Sequence, residues 1–260
     1  MTTRTDDTAL VQSLSRLARK AGAAAMTIYA KEIAVDTKRD ASPVTEADRL
    51  GEEIILKGLA EIAPEIPVLA EEAASSGDIP ELGDEFFLVD PLDGTKEFIS
   101  KTGEFTVNIA LVRNGAPVLG VVFAPALGKL YSGIVGEGAC LSVDEDAPAP
   151  INARKTPAKN LVAVASRSHR SPETDAFLET LDIADFAAAG SSLKFCLIAE
   201  GEADVYPRLG RTMEWDTGAG QAVLEAAGGR VDMFGSHAPL RYGKKERGYD
   251  NPHFIAWGSE

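Results

Sequence analysis

The chain has 260 residues, enough to bury a sizeable core as one large or two small domains without disulfides or a structural metal. With 45% hydrophobic and 25% charged residues, it is neither a disordered chain, a fibrous repeat nor a membrane bundle. Forty acidic against 26 basic residues give a formal net charge of −14, which lacks the basic footprint of a protein that binds long nucleic acid.

No basic stretch followed by an apolar run opens the chain, so no signal peptide is expected. Leu10, Leu14, Leu17, Ala21, Ala25 and Ile28 recur at helical spacing and predict a long amphipathic helix. A short segment at Ile33–Val35 and a polar stretch, Asp40 to Pro43, follow. A second helix is predicted from Thr45, with Leu50, Ile54 and Ile62 on its inner face. Val68–Ala70 and Glu85–Asp90 read as buried strands flanking a loop at 73–84. Phe105–Arg113 and Ala116–Ala124 form a hairpin around Asn114-Gly115, and Leu130–Val135 continues the sheet.

The acidic, Pro-rich stretch Asp144–Pro150 is the candidate domain boundary. Beyond it, strands at Leu161–Ala165, Ala203–Pro207 and Phe254–Trp257 alternate with helices at Pro172–Leu181, Leu193–Glu200 and Asp216–Ala227. Hairpins in the first half favour a mixed α+β fold over a purely parallel sheet. No apolar run approaches the roughly 18 residues of a membrane-spanning helix. Cys140 and Cys196 read as buried small hydrophobes in a reducing compartment.

No phosphate-binding P-loop, dinucleotide fingerprint, GxSxG elbow or HExxH is present. His169, His237 and His253 lack metal-ligand spacing. The chemical signal sits at Asp90-Pro91-Leu92-Asp93-Gly94-Thr95. The apolar strand Phe86–Val89 ends on Asp90, and Asp93 follows across a turn that Gly94 permits. Two carboxylates this close repel unless a cation separates them or one takes a proton, and hard cations such as Mg²⁺ suit oxygen-only ligands. The plain alternative is a common Asp-Gly turn. Glu71-Glu72 repeats the pattern of buried strand then carboxylate, against the alternative of solvated surface. Asp216 opens a helix, where an acid stabilises the dipole without any further role. Thr45 and Asp48 have capping-box spacing; Thr95 is a turn residue or orients a water.

The run Asp90–Thr95, with Glu71 upstream and Trp215-Asp216 downstream, resembles the lithium-sensitive, magnesium-dependent phosphomonoesterase superfamily. That superfamily includes inositol monophosphatases, fructose-1,6-bisphosphatases and bisphosphate nucleotidases. Further motifs look like those of the CysQ-type 3′(2′),5′-bisphosphate nucleotidases within it. They are Ser42-Pro43-Val44-Thr45 with Asp48, Lys96-Glu97-Phe98, Gly103 to Asn108, Ser166-Arg167-Ser168-His169, Gly190 to Cys196, and Tyr206-Pro207-Arg208. The resemblance spans nearly the whole chain, to Asn251-Pro252; Ala70 and Gly218 depart from the usual pattern without removing a ligand. Gly218 is expected to loosen the first turn of its helix.

The resemblance implies an α+β fold, a layered α/β/α/β/α sandwich of the inositol monophosphatase / fructose-1,6-bisphosphatase type. Residues 1–145 would form an N-terminal α+β subdomain with most metal ligands, and 146–260 a C-terminal α/β subdomain that completes the site. It implies Mg²⁺ at two or more positions per site. Glu71, Asp90 and the Leu92 carbonyl would bind one ion, and Asp90, Asp93 and Asp216 a second. Asp48, Thr95 and Glu71 would be catalytic, with Thr95, held by Asp48, orienting the attacking water. Glu71, Leu92, Asp93, Gly94, Thr95 and Asp216 would face the substrate, with Gly94 and Thr95 offering backbone N–H groups to the scissile phosphate. Lys194 and Arg208 would contact the other phosphate or the nucleoside, or else form surface salt bridges. Lys244, Lys245 and Arg247 read as a solvated face.

The implied activity is hydrolysis of adenosine 3′,5′-bisphosphate to AMP and phosphate, in service of sulfate assimilation. An inositol or sugar phosphatase is the alternative, disfavoured because Lys96-Glu97-Phe98 replaces the Asn-Phe of inositol phosphatases. A non-catalytic metal- or nucleotide-binding regulator comes third. The expected partner is a small phosphorylated nucleotide, not a nucleic acid polymer, for a cytoplasmic monomer or homodimer. Some relatives are peripheral at the cytoplasmic face of the inner membrane, but no basic amphipathic helix here would bind lipid.

Overall fold

The computed structural model describes residues 6–31, 35–37, 43–165 and 171–260. Ile33, Ala34, Asp40 to Ser42 and the motif Ser166 to His169 lie outside the described residues. The chain opens with α1 (Asp7–Tyr29), whose N-cap Asp6 accepts the Thr8 amide at 3.0 Å. A short hairpin, β1 (Val35–Thr37) and β2 (Pro43–Thr45), leads into α2 (Glu46–Ile62). The predicted capping box is formed: Thr45 Oγ1 accepts the Ala47 amide at 3.1 Å, and Asp48 Oδ2 accepts the Thr45 amide at 2.7 Å.

The next elements are β3 (Val68–Ala70), α3 (Glu71–Ser76), β4 (Glu85–Asp93), α4 (Thr95–Ile99), β5 (Thr106–Arg113), β6 (Ala116–Ala124), β7 (Lys129–Ile134), β8 (Gly138–Val143) and β9 (Ala149–Ile151). β3 to β9 form a seven-stranded sheet in sequence order, antiparallel except for β3 against β4. Asn114 and Gly115 both take positive φ, 51° and 74°, as the predicted two-residue hairpin requires. The remaining elements are β10 (Leu161–Ala165), α5 (Pro172–Leu178), β11 (Ile183–Ala188), α6 (Leu193–Ala199), β12 (Val205–Arg208), α7 (Glu214–Ala226), β13 (Arg230–Met233) and β14 (Phe254–Trp257). Their strands build a second, mixed sheet in the order β11-β10-β12-β14-β13.

Helices and sheets alternate in five layers, so the fold is the expected α+β sandwich. α1 and α2 cover one face of the first sheet through Leu14, Ile55, Phe87, Ile109 and Val121. α6 and α7 fill the space between the sheets, where Leu88, Ala110, Phe195, Cys196, Val223 and Phe254 share one core. α5 closes the outer face of the second sheet through Leu178 against Ala163, Val205 and Ile255. Because α7 is buried on almost every side, it has no polar face to read.

Several readings change. β4 does not end on Asp90: it runs through Pro91 to Asp93, which still pairs with Thr106 on β5. The inner face of α2 is Ala47, Gly51, Ile55 and Leu59, while Leu50, Ile54 and Ile62 are only half-buried. Small residues seat this helix: a Cβ on Gly51 would meet Pro91 at 3.3 Å and one on Gly58 would meet Leu17 at 2.4 Å. The loop assigned to 73–84 begins as α3, which Gly77 ends at φ 95°. Lys244 is not on a solvated face: it pairs with buried Glu214 at 2.7 Å, whereas Lys245 and Arg247 are exposed. Among the described residues no helix is long and apolar enough to cross a membrane.

Candidate active site

β4 carries the feature that makes the site. In a regular strand, residues three apart point to opposite faces. The ladder pairs Asp90 with Asn108 and Asp93 with Thr106, so β4 has one residue more than β5 between those pairs. This bulge, at Pro91-Leu92, brings Asp90 and Asp93 to the same face, toward α7. Glu71 follows the parallel neighbour β3, and Asp216 lies in the first turn of α7. A cleft of about 290 Å³ collects Glu71, Asp90, Leu92, Asp93, Gly94, Thr95, Lys194, Arg208 and Asp216. Gly94 takes φ 90°, and a Cβ there would meet the Glu104 carbonyl at 3.2 Å.

The three aspartates each have a defined anchor. Asp90 Oδ1 accepts the Leu92 amide at 2.9 Å. Asp93 Oδ2 accepts Ser192 Oγ at 3.0 Å, and Asp216 Oδ2 accepts the Met213 amide at 2.8 Å. Thr95 Oγ1 donates to Asp48 Oδ1 at 3.2 Å, while Asp48 Oδ2 is held by the Thr45 amide and hydroxyl, both at 2.7 Å. Asp48 is fully buried, so it reaches the cleft only through Thr95.

Burial and mutual repulsion dominate the electrostatics. Burial pushes Asp90 well above the usual carboxylate range, and the charges of Glu71, Asp93 and Asp216 push it further. Asp216 is likewise well above its ordinary value, through burial and then the charges of Asp93 and Glu71. Burial raises Asp93 to about 6, with Lys194 and the Ser192 hydrogen bond opposing. Burial also depresses Lys194 to about 8. Lys194 is therefore no surface salt bridge: it is buried, donates to the Ser191 carbonyl at 2.7 Å and stands over the Tyr206 ring at 5.6 Å. Arg208 donates through Nη2 to the Arg211 carbonyl at 3.0 Å, and its buried Nε has no partner among the described residues.

The cleft presents five carboxylates, Glu71, Asp90, Asp93, Glu97 and Asp216, against three cationic side chains, Lys96, Lys194 and Arg208. Such a cleft repels a phosphate unless cations are added. Its donors are hard oxygens, and the carboxylates raise one another's pKa, a repulsion that a divalent cation relieves. Among the described residues no three acidic or histidine side chains are already disposed to hold an ion, so the fit to a hard divalent cation is one of donor chemistry and charge.

Every expected site residue is thus brought to the cleft except Asp48, which lies behind Thr95. Ser191, Ser192 and Tyr206 sit in motifs legible in the sequence, but as individual residues they had no assigned role. Glu97 and Thr212 also line the cleft, and no local signal marks Thr212.

The profile of the inositol monophosphatase family matches residues 6–253. The 3′(2′),5′-bisphosphate nucleotidase CysQ of Escherichia coli (strain K12) is 44% identical over 248 residues, covering 94% of this chain and 98% of that protein. The protein of the same description from Haemophilus influenzae is 34% identical over 255 residues, covering 96% and 93%. Among solved structures, CysQ from Bacteroides thetaiotaomicron superposes with a TM-score of 0.80 at 38% identity, covering 97% of this chain and 98% of that one. The inositol monophosphatase from Anabaena gives 0.76 at 25% identity, covering 98% and 92%.

Proposed function

The chain belongs to the inositol monophosphatase family, and from that premise we propose that it is a 3′(2′),5′-bisphosphate nucleotidase. It is a phosphomonoesterase that hydrolyses adenosine 3′,5′-bisphosphate to AMP and phosphate, clearing this by-product of sulfate assimilation in the cytoplasm. The observation that carries the reading is the convergence of buried Asp90 and half-buried Asp93 and Asp216 with Lys194 and Arg208 on one cleft. The substrate class is supported by the 44% identity to a bisphosphate nucleotidase over almost the whole chain, against 25% for an inositol monophosphatase.

Glu71, Asp90 and the Leu92 carbonyl would hold one Mg²⁺, and Asp90, Asp93 and Asp216 a second. When bound, these ions ease deprotonation of a water and neutralise charge on the transferring phosphoryl group. The chain's own groups do the rest. Thr95 commits its hydroxyl proton to Asp48 Oδ1, so its oxygen is left to accept a hydrogen from the attacking water and orient it. Gly94 and Thr95 offer backbone N–H groups to the scissile phosphate. The water oxygen attacks phosphorus as the water gives up one proton, and the bond from phosphorus to the ribose oxygen breaks. That oxygen leaves as a hydroxyl by taking up one proton, so one water is consumed for each AMP and phosphate formed. Lys194 and the Arg208 guanidinium bind the second phosphate of the substrate.

The test is phosphate release from adenosine 3′,5′-bisphosphate and inositol 1-phosphate, measured side by side. Each runs with Mg²⁺, with chelator and with Li⁺ added to Mg²⁺, for the wild type and Asp93→Asn. Mg²⁺-dependent, Li⁺-sensitive release from the nucleotide, lost in the variant, is the expected result. Preference for the inositol substrate would overturn the nucleotidase reading and keep the site. No release from either, with Mg²⁺ still bound, would make the protein a binding regulator.

A further inference from the structure

Asn108 is buried to 1% exposure, and neither Nδ2 nor Oδ1 of its side chain has a hydrogen-bond partner among the described residues. A primary amide offers two donors and two acceptor lone pairs, and leaving them unpaired in a core costs free energy. Packing does not call for an amide at this place. Along the same face of the sheet, the row beside it is Leu88, Ala110 and Gly120, over which α7 lies: a Cβ on Gly218 would meet Leu88 at 2.8 Å and Ala110 at 3.3 Å. The row on its other side pairs Asp93 with Thr106, and Thr106 Oγ1 donates to Ser191 Oγ at 3.2 Å. Asn108 occupies the row between, directly opposite Asp90 on one strand and Val122 on the other.

Directly opposed residues in an antiparallel pair hold their Cβ atoms about 4.5–5.5 Å apart on one face. The amide of Asn108 is therefore the polar group of β5 that stands beside the Asp90 carboxyl. Asp90 Oδ1 accepts the Leu92 amide and its carboxyl also hydrogen-bonds Glu71, while no group of β5 is bonded to it. We propose that Asn108 is a positioning residue, whose buried amide orients the Asp90 carboxylate toward a divalent cation in the cleft. This rests on the metal-dependent reading above. Outer hydrogen-bond partners of ligating carboxylates commonly set metal affinity by about 10–100-fold.

The experiment compares Asn108→Val with Asn108→Thr in the full chain. The two replacements have nearly the same shape, and only Thr retains a hydroxyl. Mn²⁺ binding without substrate is read from the electron paramagnetic resonance signal of the free ion. Thermal melting checks folding, and the Mg²⁺ concentration for half-maximal rate is measured with kcat at saturating Mg²⁺. The expected result is Mn²⁺ affinity at least 10-fold weaker in Asn108→Val and within about threefold of wild type in Asn108→Thr. Half-saturating Mg²⁺ should rise in step for Val, with kcat largely recovered at high Mg²⁺. Equal Mn²⁺ affinity in the two variants would overturn the proposal. If one variant does not fold, Mn²⁺ affinity within twofold of wild type in Asn108→Val, or a 10-fold loss in Asn108→Thr, would do the same. A wild type that binds no Mn²⁺ would overturn the metal reading and this inference with it.

Discussion

Ser192 donates its hydroxyl to Asp93 Oδ2 at 3.0 Å, joining residues 99 positions apart. The bond ties the residue before α6 to the end of β4, and the same hydroxyl also reaches the Asp216 carbonyl at 3.4 Å. One small side chain thus links three elements that supply the cleft. Its hydrogen bond also opposes the upward push of burial on Asp93.

Ser192→Ala should therefore loosen Asp93 without unfolding the chain. If Asp93 holds a cation, the Mg²⁺ concentration for half-maximal rate should rise by about 10–100-fold, the usual cost of losing a ligand's outer partner. Titrating phosphate release against Mg²⁺ checks this. An unchanged titration would mean that Ser192 only packs.

Thr95→Ala removes the hydroxyl that would orient the attacking water but leaves the carboxylates in place. The expected loss is about 10²–10⁴-fold in kcat, the usual range for a group that handles a proton in the transition state. KM should change little, since Lys194 and Arg208 are untouched. Thr95→Ser should recover most of the rate by restoring the bond to Asp48 Oδ1. Steady-state kinetics on the three proteins decides; equal kcat in Ala and Ser would remove Thr95 from the reaction.

How much of this was legible in the sequence depends on whether a signal is local. The spacing of Leu10 to Ile28 and the pair Asn114-Gly115 each encode their own geometry, and both elements stand where they were read. The Thr45–Asp48 cap is local in the same sense. The β4 bulge is not: only the partner strand reveals that Asp90 and Asp93 share a face. β13, four residues with only Val231 fully buried, has no alternation strong enough to announce a strand. β11 is an edge strand with exposed Phe186, and its pattern reads as loop. Lys244 looked solvated because its partner Glu214 lies 30 residues away.

Glycine is the other place where sequence and structure part. Gly218 was expected to loosen α7, yet it lets the helix settle onto Leu88 and Ala110. Gly120, on the strand beneath, is tighter: a Cβ would meet the Ala219 carbonyl at 2.5 Å and the Ala222 Cβ at 2.8 Å. Neither neighbour is a flexible side-chain end, so the helix or the strand must shift. Gly120→Ala should cost about 1–3 kcal/mol in urea unfolding, the usual price of overpacking a core. A variant as stable as wild type would show that α7 can lift without penalty.

The pH dependence of stability should carry the mark of Asp204. Its side chain is fully buried, yet it accepts two hydrogen bonds from Arg154 and one from the Val162 amide, all at 2.7 Å. Burial raises its pKa, but the bonds from Arg154 and Val162 and the charge of Arg154 outweigh that and leave it below the ordinary value. A carboxyl with a depressed folded pKa stabilises the fold fully above its unfolded pKa of about 3.9. That contribution fades as pH falls from there through the folded pKa, because the unfolded chain takes up the proton first. Asp204→Asn keeps the shape but loses the charge and one acceptor, so at pH 7 it should be less stable by about 1–3 kcal/mol. The gap to wild type should hold constant down to about pH 5 and narrow below it. Urea melts of both proteins at a series of pH values measure it. A gap that stays constant into strong acid would mean that the Arg154 pair stabilises through shape and not through charge.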